Sequence, residues 1–203
     1  MVNIIDTVCA KADEASIRQA GQILKRGGLV AFPTETVYGL GADALNEDAA
    51  AKIYAAKGRP SDNPLIVHIT ERKMLDAIVS EVSAQAELLM EKFWPGPMTL
   101  IFKKSARVPY GTTGGLDTVA VRMPSHPIAR AVIDAGGGYI AAPSANTSGR
   151  PSPTKAAHVE EDLCGKIDMI LDGGEVEIGL ESTIVDVSTD RPVILRPGYI
   201  SQE

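Results

Sequence analysis

The stretch FPTETVYGLG, Phe32 to Gly41, decides how the chain is read. Leu29 to Phe32 is a short apolar run announced by Gly27-Gly28, and Pro33, which cannot donate to a sheet ladder, ends it. Thr34, Glu35 and Thr36 therefore emerge at the carboxyl end of a strand, which is where α/β sheets hold their ligands. Gly39 and Gly41 follow, ahead of the next helix, and Thr34 and Tyr38 lie close enough to line the same pocket. The plainer reading is a turn whose hydroxyls cap that helix.

Outward from this stretch, helices and strands alternate. Val2 to Ile5 reads as a strand. Asp13 to Arg26 reads as a helix with Ile17, Ala20, Ile23 and Leu24 on one face and Gly27 past its end. Asn46 is placed to cap a second helix, which carries Ala50, Ile53 and Tyr54 and stops at Gly58. Lys57 sits at that helix end. Arg59 to Pro64 is a rigid polar loop, and Leu65 to Ile69 a buried strand carrying His68, a residue that among aliphatics is more often core than catalyst. Residues 71–79 and 83–93 read as helices, Met98 to Phe102 as a strand, and Pro109 to Asp117 as a mobile, glycine- and threonine-rich segment. Thr118 to Arg122 alternates so that Thr118, Ala120 and Arg122 share a face, and Arg122 there calls for an anionic partner. Pro127 opens a helix closed by Gly136-Gly137-Gly138, and the strand Tyr139 to Ala142 runs into a second polar loop, Pro143 to Pro153. Residues 154–163 read as a helix, and Met169 to Leu171, Ser182 to Val187 and Val193 to Arg196 as strands.

At 203 residues one large domain, 1–203, is the simpler organisation, enough to bury about 70% of the surface its unfolded chain exposes. Residues 1–26 lack a signal-peptide core, and no segment approaches the roughly 18 apolar residues of a membrane span, so the expected compartment is the cytoplasm. Cys9 and Cys164 belong to no CxxC or Cys/His cluster. That counts against a disulfide framework or a zinc site and predicts two buried thiols. A formal charge of −6 argues against a general nucleic-acid coat while leaving room for a local basic pocket.

Several chemistries fail on inspection. There is no GxxxxGK[ST] phosphate loop and no GxSxG nucleophile elbow. Gly39-Leu40-Gly41-Ala42-Asp43-Ala44 matches a GxGxxA dinucleotide pattern, but Pro33 to Tyr38 separate it from the strand, whereas the pattern belongs at the strand-to-helix turn. His68, His126 and His158 have no ligand spacing for a metal. What remains is a set of polar strand-end loops together with Lys57, Arg59, Arg122 and Arg196. Arginine forks and a compact lysine charge suit a polyphosphate plus a small carboxylate.

Seven ordered blocks then carry a resemblance over nearly the whole chain: PTETVYGLGADA at 33–44, KGRPSDNPLIVHI at 57–69, WPGPMTLI at 94–101, LDTVAVRMPSHP at 116–127, AAPSANTSGRPSPT at 141–154, LESTIVDV at 180–187 and ILRPG at 194–198. The chain resembles the YrdC-like family of L-threonylcarbamoyladenylate synthases. The resemblance implies a YrdC/RibB-like α/β fold (α+β in some schemes), a twisted mixed sheet, mainly parallel and partly antiparallel, flanked by helices, with a large concave, positively lined groove. It also implies a reaction in which ATP, brought with Mg²⁺, bicarbonate and L-threonine give threonylcarbamoyl-AMP and pyrophosphate, for tRNA threonylcarbamoyladenosine modification.

The family's KxR and SxN signatures fall on Lys57, Arg59, Ser144 and Asn146, with Lys57 and Arg59 the expected catalytic pair. By resemblance ATP contacts fall on Arg59, Asn63, Thr118, Ser144, Asn146, Ser152 and Arg196. Threonine contacts fall on Thr36, His68, Arg122, the backbone near Ala142, and Ser182, with no metal ligands apart from the magnesium carried by ATP. Val37, Leu40 and Ala142 are candidates for the pocket of the threonine methyl, and Gly39 and Gly41 for close backbone approach to substrate. Implied partners are the small-molecule substrates, a tRNA threonylcarbamoyl transferase complex that receives the product, weak RNA binding, and no membrane. The rival readings are a carbamoyl-transferring paralogue and an RNA-binding module of the same fold without synthase activity. Longer family members continue after the strand that here reads Ile194 to Gly198, so Glu203 could end a short form or a catalytic domain.

Overall fold

The computed structural model describes residues 5–201. Its strands are β1 (Val8–Lys11), β2 (Val30–Pro33), β3 (Tyr38–Asp43), β4 (Ile66–His68), β5 (Met98–Lys103), β6 (Thr118–Arg122), β7 (Ile140–Ala141), β8 (Met169–Asp172), β9 (Thr183–Asp186) and β10 (Val193–Arg196). The helices are α1 (Glu14–Lys25), α2 (Glu47–Lys57), α3 (Ala84–Phe93), α4 (Tyr110–Thr113), α5 (Pro127–Ala135) and α6 (Ala156–Leu163). All ten strands join one sheet in the order β1-β8-β2-β3-β7-β4-β6-β5-β9-β10. Four pairings are parallel and five antiparallel, so the sheet is mixed as expected, with the two senses nearly even rather than parallel predominating.

The helix signals in the sequence hold. The Asp13 carboxylate accepts from the Ser16 amide at 2.8 Å, and Ser16 reciprocates as a capping box. Asn46 caps α2, and Gly58 closes it with φ 60°, in the left-handed region that favours glycine. Other expectations are corrected. Tyr38 to Asp43 is not a loop before a helix but a strand, antiparallel to β2 across the turn Thr34–Val37. Tyr38, Leu40 and Ala42 face one hydrophobic cluster with strand period 2, while Gly41 sits where a Cβ would lie 2.7 Å from the Phe32 ring. Gly41 therefore answers to core packing, not to substrate. Residues 72–77 form a 3-10 turn rather than an α-helix. The segment expected to be mobile contains α4, whose buried Thr112 donates to the Ala44 carbonyl at 2.7 Å. The strand expected at Val2 to Ile5 lies, for residues 2–4, outside the described residues, and Ile5 is in no strand. Both cysteines are exposed rather than buried, because β1 is an edge strand and Cys164 follows the last turn of α6.

Two apolar layers sandwich the sheet. On one face Ala49, Ala50 and Ile53 of α2, Met90 of α3 and Val159 of α6 pack against Leu40, Val67, Leu100 and Val121. On the other, α1 and α5 cross closely enough that a Cβ on Gly21 would meet the Ala135 carbonyl oxygen at 2.5 Å. They cover Val30, Phe32, Ile140, Ala142, Met169 and Leu171. The strands β4, β6, β5 and β9 carry a cavity on this second face, and Ala142 belongs both to it and to the α1/α5 layer.

Candidate active site

Strand alternation builds the cavity floor. Ile66 and His68 of β4 pair with Ala120 and Arg122 of β6, whose far neighbours are Ile101 and Thr99 of β5, and Thr99 pairs in turn with Ile184 of β9. The cavity has a volume of about 230 Å³. Its rim comes from the Thr34–Val37 turn, the Arg59–Pro64 loop, the start of the 143–153 loop, and Glu181, Ser182 and Arg196. A second, apolar groove bordered by Leu88, Phe93, Val193 and Ile194 gathers no converging charges.

Beside the cavity floor, Arg122 and Glu35 form an ion pair at 2.6 Å with both side chains only 6% exposed. The anionic partner that the sequence demanded for Arg122 is thus a residue of the opening stretch. Nη1 of Arg122 donates to Thr36 Oγ1 at 3.0 Å, and Nε is buried without a partner among the described residues. Thr36 is held in turn by Thr34, 3.0 Å away, whose hydroxyl also reaches the Val37 carbonyl at 2.7 Å. Burial acts to raise the pKa of Glu35, but the charge and hydrogen bond of Arg122, with backbone donors, bring it below the ordinary carboxylate value. Beside them His68 is 2% exposed, and its Nδ1 lies 3.1 Å from the Ile66 carbonyl. A carbonyl only accepts, so Nδ1 carries the proton and Nε2 the lone pair. Burial, then the charge of Arg122, lowers the pKa of His68 to about 3, which leaves a neutral imidazole. The histidine that periodicity assigned to the core is both buried and cavity-lining.

On the rim, Arg59 donates to Asn63 Oδ1 at 2.5 Å and to the Pro64 carbonyl at 3.1 Å, which holds its loop closed around it. Arg196 reaches back to the Ser182 carbonyl at 2.8 Å, and the Ser182 hydroxyl lies 2.8 Å from that of Thr99. Glu181, which the sequence reading passed over, lines the cavity and accepts from Ser152 at 2.6 Å. That hydrogen bond keeps its carboxyl below the usual range.

Thr34, Thr36, Val37, Gly39, Arg59, Asn63, His68, Arg122, Ala142, Ser144, Ser182 and Arg196 are brought to one cavity as expected. Others are not. Leu40 and Tyr38 face the opposite core, with the Tyr38 hydroxyl donating to the Gly174 carbonyl at 2.6 Å and its pKa raised by burial to about 12. Thr118 continues the face of Arg122 but lies four residues along β6, beyond the lining. Ser152 serves through Glu181.

Lys57 and Asn146 turn inward. The ammonium of Lys57, 1% exposed, donates to the carbonyls of Ser144 and Asn146, and the Asn146 amide donates to the Arg150 carbonyl at 2.8 Å. Burial first, then the charge of Arg59, lowers the pKa of Lys57 to about 8, with Asp162 opposing. A lysine at a helix end reads as solvated in sequence. Here its acceptors lie 87 and 89 residues away.

With this geometry in hand, comparison with known proteins is decisive. Residues 22–198 match the Sua5/YciO/YrdC family model, described as telomere recombination. The chain belongs to this family. It is 54% identical to a threonylcarbamoyl-AMP synthase of Pyrococcus abyssi over 202 residues, covering 100% of this chain and 59% of that protein. It is 55% identical to the Bacillus subtilis protein of the same name, covering 94% of this chain and 56% of the other. The chain therefore spans less than two thirds of the length of these relatives. Among solved family structures, P. abyssi Sua5 complexed with L-threonine superposes with a TM-score of 0.90 at 56% identity, covering 96% of this chain and 57% of that one. Escherichia coli YciO follows at 0.83 and 26%, over 96% and 95%. The evenly mixed sheet is thus the family's sheet.

Proposed function

We propose that residues 1–203 are the catalytic domain of an L-threonylcarbamoyladenylate synthase, a nucleotidyltransferase that makes threonylcarbamoyl-AMP and pyrophosphate from L-threonine, bicarbonate and ATP. The observation that carries this reading is a single cavity that gathers Arg122, whose N–H donors are not all paired, and the buried His68 with two further arginines, Arg59 and Arg196. The first pair suits a small amino acid and the two arginines a polyphosphate. The names of the relatives agree with it, and the P. abyssi complex shows that a family member takes L-threonine.

In this reading the carboxylate of threonine lies on Arg122 and Thr36, and Nε2 of His68 accepts from its hydroxyl or amine. Among the described residues the carboxylate paired with Arg122 is that of Glu35, which is not on the cavity wall. The charges of Arg59 and Arg196 outnumber that of the lining Glu181, which favours the uncharged amine over the ammonium. That amine adds to CO₂ with loss of a proton to solvent, or to bicarbonate with loss of water, to give a carbamate, whose oxygen attacks the α-phosphorus of ATP as the bond to the bridging oxygen breaks and pyrophosphate leaves. Arg59 and Arg196 neutralise the phosphates, Asn63 and Ser144 position them, and Mg²⁺ enters as part of the ATP substrate, with Glu181 the nearby carboxylate. The protein contributes placement and charge rather than covalent chemistry. Lys57 acts one step back by holding the Ser144–Asn146 loop. Val37 and Ala142 line the space for the methyl, which is worth about 1–3 kcal/mol against serine.

The product would pass in the cytoplasm to a tRNA threonylcarbamoyl transferase complex. The test is threonine-dependent pyrophosphate release in the presence of ATP, Mg²⁺ and bicarbonate, with the adenylate identified by mass. Absence of product together with salt-sensitive RNA binding would favour a non-catalytic RNA-binding module instead.

A further inference from the structure

Glu35 lies between Thr34 and Thr36, both on the cavity wall, yet its own side chain is turned away from the cavity. Three elements fix it. Oε1 accepts from Arg122 Nη2 at 2.6 Å, at the end of β6. Oε2 accepts from the His126 amide at 3.4 Å, at the start of α5. Its carbonyl accepts from the Ile178 amide at 3.1 Å, while that of Thr36 accepts from Gly179 at 2.9 Å. Arg122 is held at two points by this frame, Nη2 on Glu35 and Nη1 on Thr36, which use two of its five N–H donors and leave one on each Nη together with a buried Nε that has no partner among the described residues. A long side chain with many rotamers thereby becomes a fixed fork on the cavity wall with donors to spare, the arrangement that reads a planar carboxylate. Because the pair is neutral as a whole, recognition rests on where the guanidinium is placed more than on net attraction.

We propose that Glu35 is a positioning residue for substrate selection: by clamping Arg122, it directs the spare donors of the guanidinium at the α-carboxylate of the amino-acid substrate. The proposal rests on the assignment of that carboxylate to Arg122. A purely structural ion pair would stabilise the fold without setting carboxylate discrimination.

The two are separated by isothermal titration of L-threonine and of L-threoninol, which lacks the carboxylate, into the wild-type protein and Glu35→Gln. The wild type prefers threonine. In Glu35→Gln the threonine/threoninol affinity ratio falls at least ~10-fold, as displacement of a positioning group by about an ångström can cost up to 10²-fold, while ATP affinity changes less than ~3-fold. If the wild type itself binds both ligands equally, the assignment of the carboxylate to Arg122 fails. If the wild type discriminates and Glu35→Gln keeps the full ratio, or binds threonine more tightly because Arg122 has been freed, the positioning role is overturned. Circular dichroism and thermal melts monitor folding. Should Glu35→Gln not fold, Glu35→Asp keeps the charge but withdraws it by one methylene, and its ratio should fall ~3-fold by the same displacement argument. An undiminished ratio in Glu35→Asp overturns the proposal equally.

Discussion

Arg122 stands on a central strand, buried, paired and braced by a turn and a helix start, whereas Arg59 stands on an exposed six-residue loop and Arg196 on the edge strand β10, both half-exposed. The Arg122 frame is therefore built before a ligand arrives, and Arg59 and Arg196 are held by hydrogen bonds that water can replace. A buried charge pair loses most when one partner is removed, because the survivor is stranded in low dielectric. A half-exposed arginine loses only its contact, screened by salt. In the proposed reading the small, fixed ligand takes the Arg122 side and the flexible, highly charged one the side of Arg59 and Arg196.

That contrast can be broken experimentally. The largest effect should come from Arg122→Ala, which leaves Glu35 buried and unpaired and should destabilise the fold by ~3–5 kcal/mol on denaturant titration. A loss below about 1 kcal/mol would mean that the pair is hydrated. Next, Lys57→Met leaves the Ser144 and Asn146 carbonyls without their donor and should cost about 3 kcal/mol, at 1–3 kcal/mol for each buried group left unsatisfied. In the wild type the Lys57 ammonium is lost as pH rises through about 8. ATP affinity should therefore show a basic limb near that pH, and Lys57→Met should lack it.

His68 gives a third, smaller effect. Its folded pKa of about 3 lies below the ordinary 6.5, so the unfolded chain binds the extra proton between those values and stability falls as pH drops through that window. At pH 5 the cost is about 2 kcal/mol, one and a half pH units at 1.36 kcal/mol each. Denaturant titrations at pH 5 and 7 should differ by this amount in the wild type and not in His68→Asn. The smallest effect should come from Arg59→Ala, which should weaken ATP binding ~10-fold, or 1.4 kcal/mol, shrink further as salt is raised, and leave threonine binding unchanged.

Most local structure was legible because it is written locally. Asn46 and Gly58 bound α2, and the alternation through Thr118, Ala120 and Arg122 set the floor of the cavity. Strand β3 was missed because Gly39 and Gly41 disguise a period-2 pattern as a glycine loop, and only the bulk of Phe32 and Ile140 explains the missing side chain at Gly41. The demand for an anion at Arg122 was readable. That Glu35 supplies it was not, since the two stand 87 residues apart and meet only through the sheet order. Lys57 failed for the same reason: its acceptors come from a loop that the sequence could place at a strand end but not beneath a lysine. Glu181 adjoins Ser182 in a block that carried the family resemblance, and the serine drew attention away from the carboxylate.

The separate roles proposed for Arg122 and Arg59 are tested most directly by a crossed titration of L-threonine and ATP into Arg122→Lys and Arg59→Ala. Arg122→Lys keeps a charge opposite Glu35 but loses the fork. It should lose threonine binding while holding ATP within ~3-fold, and Arg59→Ala should do the reverse, a tenfold change being 1.4 kcal/mol. Equal loss of both ligands in either variant, or undiminished threonine binding by Arg122→Lys, would contradict the account.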